Sequence, residues 1–140
     1  RRGGAPRRAA RPAGRRMLKP VPGGAAVVAC NTCRNAAGAA LVAALRRVQG
    51  GDAAYAGVAV QEMPCLFACR ESCAVHLRAP GKVGYVLGRF DPTDEAARAI
   101  LDYARAYAAS EWGQVPYRDW PEGVKGHFIT RTPPEGYVVA

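Results

Sequence analysis

Apolar and polar positions change period several times along the chain, and each change marks an element. Ala25 to Ala29 is a short apolar run containing Val27 and Val28, bounded by Gly24 and a polar cluster, and reads as a buried strand. After Cys30-Asn31-Thr32-Cys33-Arg34, residues Gly38, Leu41, Leu45 and Val48 recur at three- and four-residue intervals, and Gly50-Gly51 follows. That pattern predicts an amphipathic helix of three to four turns with a glycine stop, with Asn31 or Thr32 as the expected N-cap. Val58 and Val60 alternate around Ala59 in a second strand over 56–62. Residues 63–72 read as a loop. In the third strand Cys73, Val75, Leu77 and Ala79 point one way and Ala74, His76 and Arg78 the other. Pro80-Gly81-Lys82 forms a tight turn whose glycine supplies positive φ, and Val83 to Leu87 returns as a hairpin strand.

Asp91-Pro92 opens the best-formed helix, with Asp91 expected at N-cap and Asp94 and Glu95 in the first turn. Its apolar stripe is Ala97, Ile100, Leu101, Ala104 and Ala108, and Asp94, Arg98, Asp102 and Arg105 form a face of paired charges. From Glu111 to Ala140 there are four Pro and four Gly, which predicts turns and loop held to the body by Trp112, Trp120, Phe128 and Ile129. Strand, helix, strand, cysteine loop, hairpin and helix is the order of a thioredoxin-like α/β sandwich with a loop-rich C-terminal tail. The expected organisation is a basic arm and linker over 1–24, a metal- or cluster-binding domain over 25–110, and an extension packed on it over 111–140.

Length and composition refine this. At 140 residues the chain is the size of one domain and buries a core without disulfide staples. A hydrophobic content of 49% with 22% charged residues excludes a wholly disordered chain. No apolar run reaches the roughly 18 residues of a membrane span. The net charge of +9 is unevenly placed: residues 1–19 carry seven Arg and one Lys without an acid, leaving +1 for the rest. Such an arm suits nucleic acid or anionic lipid, but its Gly/Ala/Pro-rich composition reads more simply as a disordered, solvated extension. Met17 is a candidate translation start, with the arm an over-extended reading frame. Arg15-Arg16 is followed by no apolar core of signal-peptide length, which places the protein in the cytoplasm as an expectation.

The chemistry lies in five cysteines confined to two loops, Cys30-x-x-Cys33 and Cys65-x-x-x-Cys69-x-x-x-Cys73. Without a secretory signal, such clustering points to metal binding or catalysis rather than a disulfide framework. In a thioredoxin-like arrangement both loops lie at one end of the sheet. The helix N-terminus beside Cys33 is expected to favour its thiolate, with Arg34 and Arg70 adding positive charge. The donor set suits a 2Fe–2S cluster or a Zn²⁺ ion held by Cys30, Cys33, Cys65 and Cys69. A third reading is a thiol–disulfide oxidoreductase using Cys30 and Cys33, which leaves Cys65 and Cys69 without a role. His76 and His127 read as surface or packed residues and Lys82 as a solvated turn residue; Cys73 reads as a buried hydrophobe beside the cluster, with replacement of Cys33 as ligand the alternative because Cys69-x-x-x-Cys73 repeats the Cys65-x-x-x-Cys69 spacing. No Ser/His/Asp set, phosphate loop or carboxylate pair marks a small-molecule substrate site.

Pro64-Cys65-Leu66-Phe67-Ala68-Cys69, then a strand, Pro80-Gly81-Lys82, Tyr85-Val86-Leu87-Gly88 and Asp91-Pro92, resembles the thioredoxin-like 2Fe–2S ferredoxins. The chain is more closely similar to a bacterial family described as predicted metal-binding proteins of unknown function, domain of unknown function 1636. The shared string is Cys30 to Arg34, Cys65 to Cys73, Ala79 to Lys82 and Tyr85, and the resemblance runs from roughly 25 to 134, including Arg131-Thr132-Pro133-Pro134. It implies a 2Fe–2S electron carrier or cluster-bearing accessory protein rather than an enzyme, with redox proteins as partners and a homodimer left open. Members of that family often neighbour cobalamin-biosynthesis genes. In the ferredoxins the first two ligand cysteines are spaced more widely than Cys30 and Cys33, and Cys73 is extra.

Overall fold

The computed structural model describes residues 17–140; the readings of residues 1–16 as an arm lie outside them. Five strands and two long helices follow one another: β1 (Ala26–Cys30), α1 (Ala37–Gly50), β2 (Ala59–Met63), β3 (Val75–Arg78), β4 (Gly84–Leu87), α2 (Asp94–Ala109) and β5 (Phe128–Thr132). The sheet order is β2-β1-β3-β4-β5. β1 and β2 are parallel, with Cys30 opposite Met63, and the remaining pairings are antiparallel. The βαβ crossover through α1 makes the first pair parallel, and the two-strand hairpin makes β3 and β4 antiparallel.

The register aligns apolar side chains in rows. Val27 pairs with Leu77 and Leu77 with Tyr85; Ala29 pairs with Val75 and Val75 with Leu87. These rows meet Leu41, Leu45 and Val48 of α1 and Ala97, Ile100, Leu101 and Ala104 of α2 in one core. Each fully buried Leu, Ile or Val contributes about 1.5–3 kcal/mol of transfer free energy. Tyr103 and Tyr107 of α2 are also 1% exposed, beyond the expected stripe. Tyr107 donates to Val83 O at 2.5 Å, and Tyr103 meets Tyr85, Trp120 and Phe128 edge to face.

Four local expectations are corrected. α1 begins at Ala37 rather than after Asn31 or Thr32, because Arg34 and Asn35 take left-handed conformations at φ 42° and 58° and delay the first helical turn. The N-cap of α2 is Thr93, whose hydroxyl accepts from Ala96 N at 3.1 Å, and not Asp91. Lys82 is not a solvated turn residue. Its ammonium donates to the carbonyls of Ala108 and Ser110 at 2.6 Å and Tyr107 at 3.3 Å, closing the C-terminus of α2 where the helix dipole favours a cation. The tail is mostly turn and loop, yet Phe128–Thr132 joins the sheet as its edge strand beside β4, so the tail completes the domain. Trp120 and Phe128 pack on the core as expected, while Trp112 is 44% exposed.

Candidate metal centre

Because β1 and β2 are adjacent and parallel, the loops after Cys30 and Met63 leave the same end of the sheet. Backbone and side chains lace them together. Asn31 N donates to Met63 O at 2.9 Å, and Asn31 Nδ2 to Glu62 Oε1 at 2.9 Å. Cys65 N donates to Thr32 Oγ1 at 3.2 Å. On the other side of β1, Cys30 N donates to Ala74 O at 3.1 Å, which brings the start of β3 and Cys73 to the same place.

The cysteines fall into two pairs. Cys33 Sγ donates to Cys30 Sγ at 3.0 Å, and both residues are buried. Cys65 Sγ lies 3.9 Å from Cys69 Sγ, with Cys65 half-buried and Cys69 exposed. Two thiolates on one tetrahedral ion with metal–sulfur bonds of about 2.3 Å stand about 3.8 Å apart. The Cys65–Cys69 pair already has that span, and the Cys30–Cys33 pair must open by less than an ångström. Among the described residues no three His, Cys, Asp or Glu side chains are grouped so as to hold a metal ion, and the four thiols stand as two pairs.

The surroundings favour the anion at Cys30 and oppose it at Cys33 and Cys69. Burial opposes the Cys30 thiolate, but hydrogen bonds from the Cys33 thiol, the Thr32 backbone N–H and hydroxyl, and the Leu66 N–H outweigh it and bring the pKa down to about 7. For Cys33, burial and its donation to Cys30 push the pKa up to about 11 against a single N–H from Ala74. The expectation that Cys33 is the favoured thiolate is therefore corrected: with α1 starting at Ala37, the acidic partner is Cys30. Cys69 is raised by its hydrogen bond with Cys65 and by that neighbour's charge, with Cys30 also near enough to contribute. Phe67 N donates to Cys65 Sγ at 3.3 Å. Thiolates that accept backbone N–H groups are the donors an iron–sulfur cluster uses, and the residues fit the group.

Cys73 is fully buried in the core row with Val75 and Leu77, as its strand phase predicts. Arg34 turns toward it, placing Nη2 3.6 Å from Cys73 Sγ and 3.2 Å from Phe90 O. Arg70 stays exposed and makes no ion pair among the described residues. His76 is half-buried on the other face of the sheet, and burial followed by the charge of Arg78 lowers its pKa. His127 stacks on Phe90 at 4.3 Å, with Nδ1 2.7 Å from Gly88 O. Neither histidine joins the thiols. The supporting roles of Thr32, Leu66 and Gly38 escaped the sequence reading because they are played by backbone N–H groups, by a hydroxyl that bridges two loops, or by the absence of a Cβ. An alanine Cβ at Gly38 falls 2.5 Å from Cys30 O.

Fold and site together define a thioredoxin-like α/β protein with two cysteine pairs on interlocked loops. The chain belongs to the family described as "Protein of unknown function (DUF1636)", which matches residues 27–134. Among solved structures it is similar to a thioredoxin-like [2Fe-2S] ferredoxin from Aquifex aeolicus at 15% identity and a TM-score of 0.52, covering 84% of this chain and 100% of that one. At that identity the likeness establishes the fold. No curated protein matches the chain. No helix of the described residues is long and apolar enough to cross a membrane.

Proposed function

We propose that this protein carries a 2Fe–2S cluster and passes single electrons between protein partners in a reducing compartment such as the cytoplasm. The observation that carries the reading is the two-and-two grouping of thiols at one end of the sheet. A two-iron cluster needs two pairs of ligands, one per iron, whereas a single Zn²⁺ needs four donors around one point. Cys30 and Cys33 would hold one iron, and Cys65 and Cys69 the other. The cluster supplies a one-electron couple. The chain supplies the N–H groups of Thr32, Leu66, Ala74 and Phe67, which spread the negative charge of the sulfurs, while burial of the inner pair excludes water. The half-exposed outer pair is the way in and out for the electron. The solved neighbour's name states a 2Fe–2S cluster, in keeping with this reading.

Purification without oxygen followed by iron, acid-labile sulfide and zinc analysis tests it. Two irons and two sulfides per chain are expected, with Cys69→Ala losing both. One zinc per chain with no sulfide refutes it. A second reading is favoured by one observation: the 3.0 Å contact of Cys30 and Cys33 with the low pKa of Cys30 is also that of a thiol–disulfide exchange pair. Metal-free protein that reduces a disulfide substrate through Cys30 would select it.

A further inference from the structure

The four thiols are not equally close to solvent. Cys30 and Cys33 are 2% and 7% exposed, while Cys65 is half-buried and Cys69 exposed. An electron leaving the site has its shortest route over the Cys65–Cys69 loop. That loop runs Met63-Pro64-Cys65-Leu66-Phe67-Ala68-Cys69 without a charge. At its tip Phe67 is 95% exposed, and Met63 at its base is 38% exposed.

The exposure of Phe67 is built in. Cys65 and Phe67 both hold left-handed conformations, at φ 48° and 59°, which non-glycine residues seldom adopt. The Phe67 N–H is tied to Cys65 Sγ and the Cys65 N–H to Thr32, so the backbone that aims the ring outward is the backbone that presents the sulfur. A large ring held in water by a fixed backbone is preorganised for a partner and loses little freedom on binding.

The charges beside the loop give the partner's sign. Glu62 is paired with Arg46, and Glu71 with Arg89, so both nearby acids are neutralised within the chain. Arg70, directly after Cys69, is exposed and has no ion-pair partner among the described residues. The rim is therefore net positive. Aromatic residues and arginine are also the types enriched at the centres of protein interfaces.

We propose that the loop from Met63 to Arg70 is the docking face for an acidic redox protein, with Phe67 seated in an apolar pocket of the partner and Arg70 paired with a carboxylate at that pocket's edge. The proposal rests on the cluster reading and names the partner surface of the same site. Electrons then pass between the partner's centre and the Cys65–Cys69 side.

Stopped-flow oxidation of the dithionite-reduced, cluster-loaded full chain tests it, with two probes: an acidic flavodoxin and the small complex hexaammineruthenium(III). Loading is matched beforehand by iron, sulfide and visible spectrum. Phe67→Ala is expected to slow transfer to flavodoxin about tenfold, Phe67→Leu to restore most of the rate, and neither to change the rate with the ruthenium complex. Arg70→Glu should slow flavodoxin at low salt, and the loss should fade as salt rises. An unchanged flavodoxin rate in Phe67→Ala overturns the proposal, and so does an equal loss with both probes, which would mean that Phe67 acts on the cluster itself. A wild-type chain that takes up no iron and sulfide overturns the cluster reading and this proposal with it; normal loading with a Phe67-independent rate overturns the docking face alone.

Discussion

Gly38 ties helix α1 to the cysteine loop, and replacing it separates local propensity from close packing. An alanine Cβ at this position falls 2.5 Å from Cys30 O, 2.8 Å from Cys33 N and 3.1 Å from Asn31 C. Carbon meets a carbonyl oxygen comfortably at about 3.3 Å. Helix start or loop must therefore shift by roughly 0.8 Å, and all three obstacles are backbone, which cannot swing aside as a side chain does. Overpacking of this kind costs about 3 kcal/mol at its upper range. Alanine in a helix returns about 1 kcal/mol relative to glycine. Gly38→Ala should thus destabilise the metal-free chain by about 2 kcal/mol, and, because Cys30 and Cys33 carry the displaced atoms, it should also reduce retained iron. Gly50, the last residue of the same helix, has nothing within 4 Å of an added Cβ, so Gly50→Ala should stabilise by a few tenths to about 1 kcal/mol. Urea unfolding of both variants reads the difference as a shift of midpoint at constant slope. If Gly38→Ala unfolds at or above the wild-type midpoint, the close approach is absent and the argument fails.

Three further predictions follow from the same contacts. Cys73→Ala should cost about 1 kcal/mol and keep full metal content, whereas Cys33→Ala should empty the site; metal loss in the first with full occupancy in the second would exchange their roles. Lys82→Met, which keeps the stem but removes the ammonium from three carbonyls, should cost about 1–2 kcal/mol by thermal unfolding, and a neutral result would show the cap to be idle. In the metal-free protein, ultraviolet titration should show one thiolate forming near pH 7 that disappears in Cys30→Ser. The depressed Cys30 pKa makes stability rise with pH between about 7 and 9, and the raised Cys33 pKa makes it fall between about 9 and 11, so this pair alone places a maximum near pH 9; a monotonic profile would contradict the assignment.

The elements with a strong period were legible in the sequence: the Val27–Val28 strand, the Leu41–Leu45–Val48 face, the hairpin around Gly81 and the Ala97–Ile100–Leu101–Ala104 stripe all lie where the pattern puts them. What escaped depends on contacts between distant residues. β5 sits among prolines and glycines, and its outer residues Thr130 to Thr132 are polar because it is an edge strand, so no alternation announces it. The late start of α1 comes from Arg34 and Asn35 in left-handed conformations, with the Arg34 guanidinium reaching Phe90 and Cys73 more than thirty residues away. Lys82 looked solvated because nothing near it in sequence is the helix end it closes. In the site, the grouping of cysteines was legible but the acidities were not: which sulfur is the easier anion depends on N–H groups from Leu66 and Ala74, in other loops and strands.

That dependence gives the two pairs different natures. The Cys30–Cys33 pair is held before any metal arrives, since β1 and β3 fix one side, Gly38 of α1 presses on the other, and Cys30 Sγ already takes N–H groups from both loops. The Cys65–Cys69 pair, 3.9 Å apart, lies outside the core on a loop with two left-handed residues, with the Phe67 N–H on Cys65 Sγ and the Cys65 N–H on Thr32 of the other loop. A buried inner pair with a more exposed outer one would separate retention from exchange of the proposed cluster. On the proposed cluster reading, the inner side would keep the group out of water, while the outer side, within reach of solvent and of Phe67, would be where electrons and partners meet. Moving either pair to the other's position would lose one of these properties, because burial that protects the inner sulfurs would also bar a partner from the outer ones.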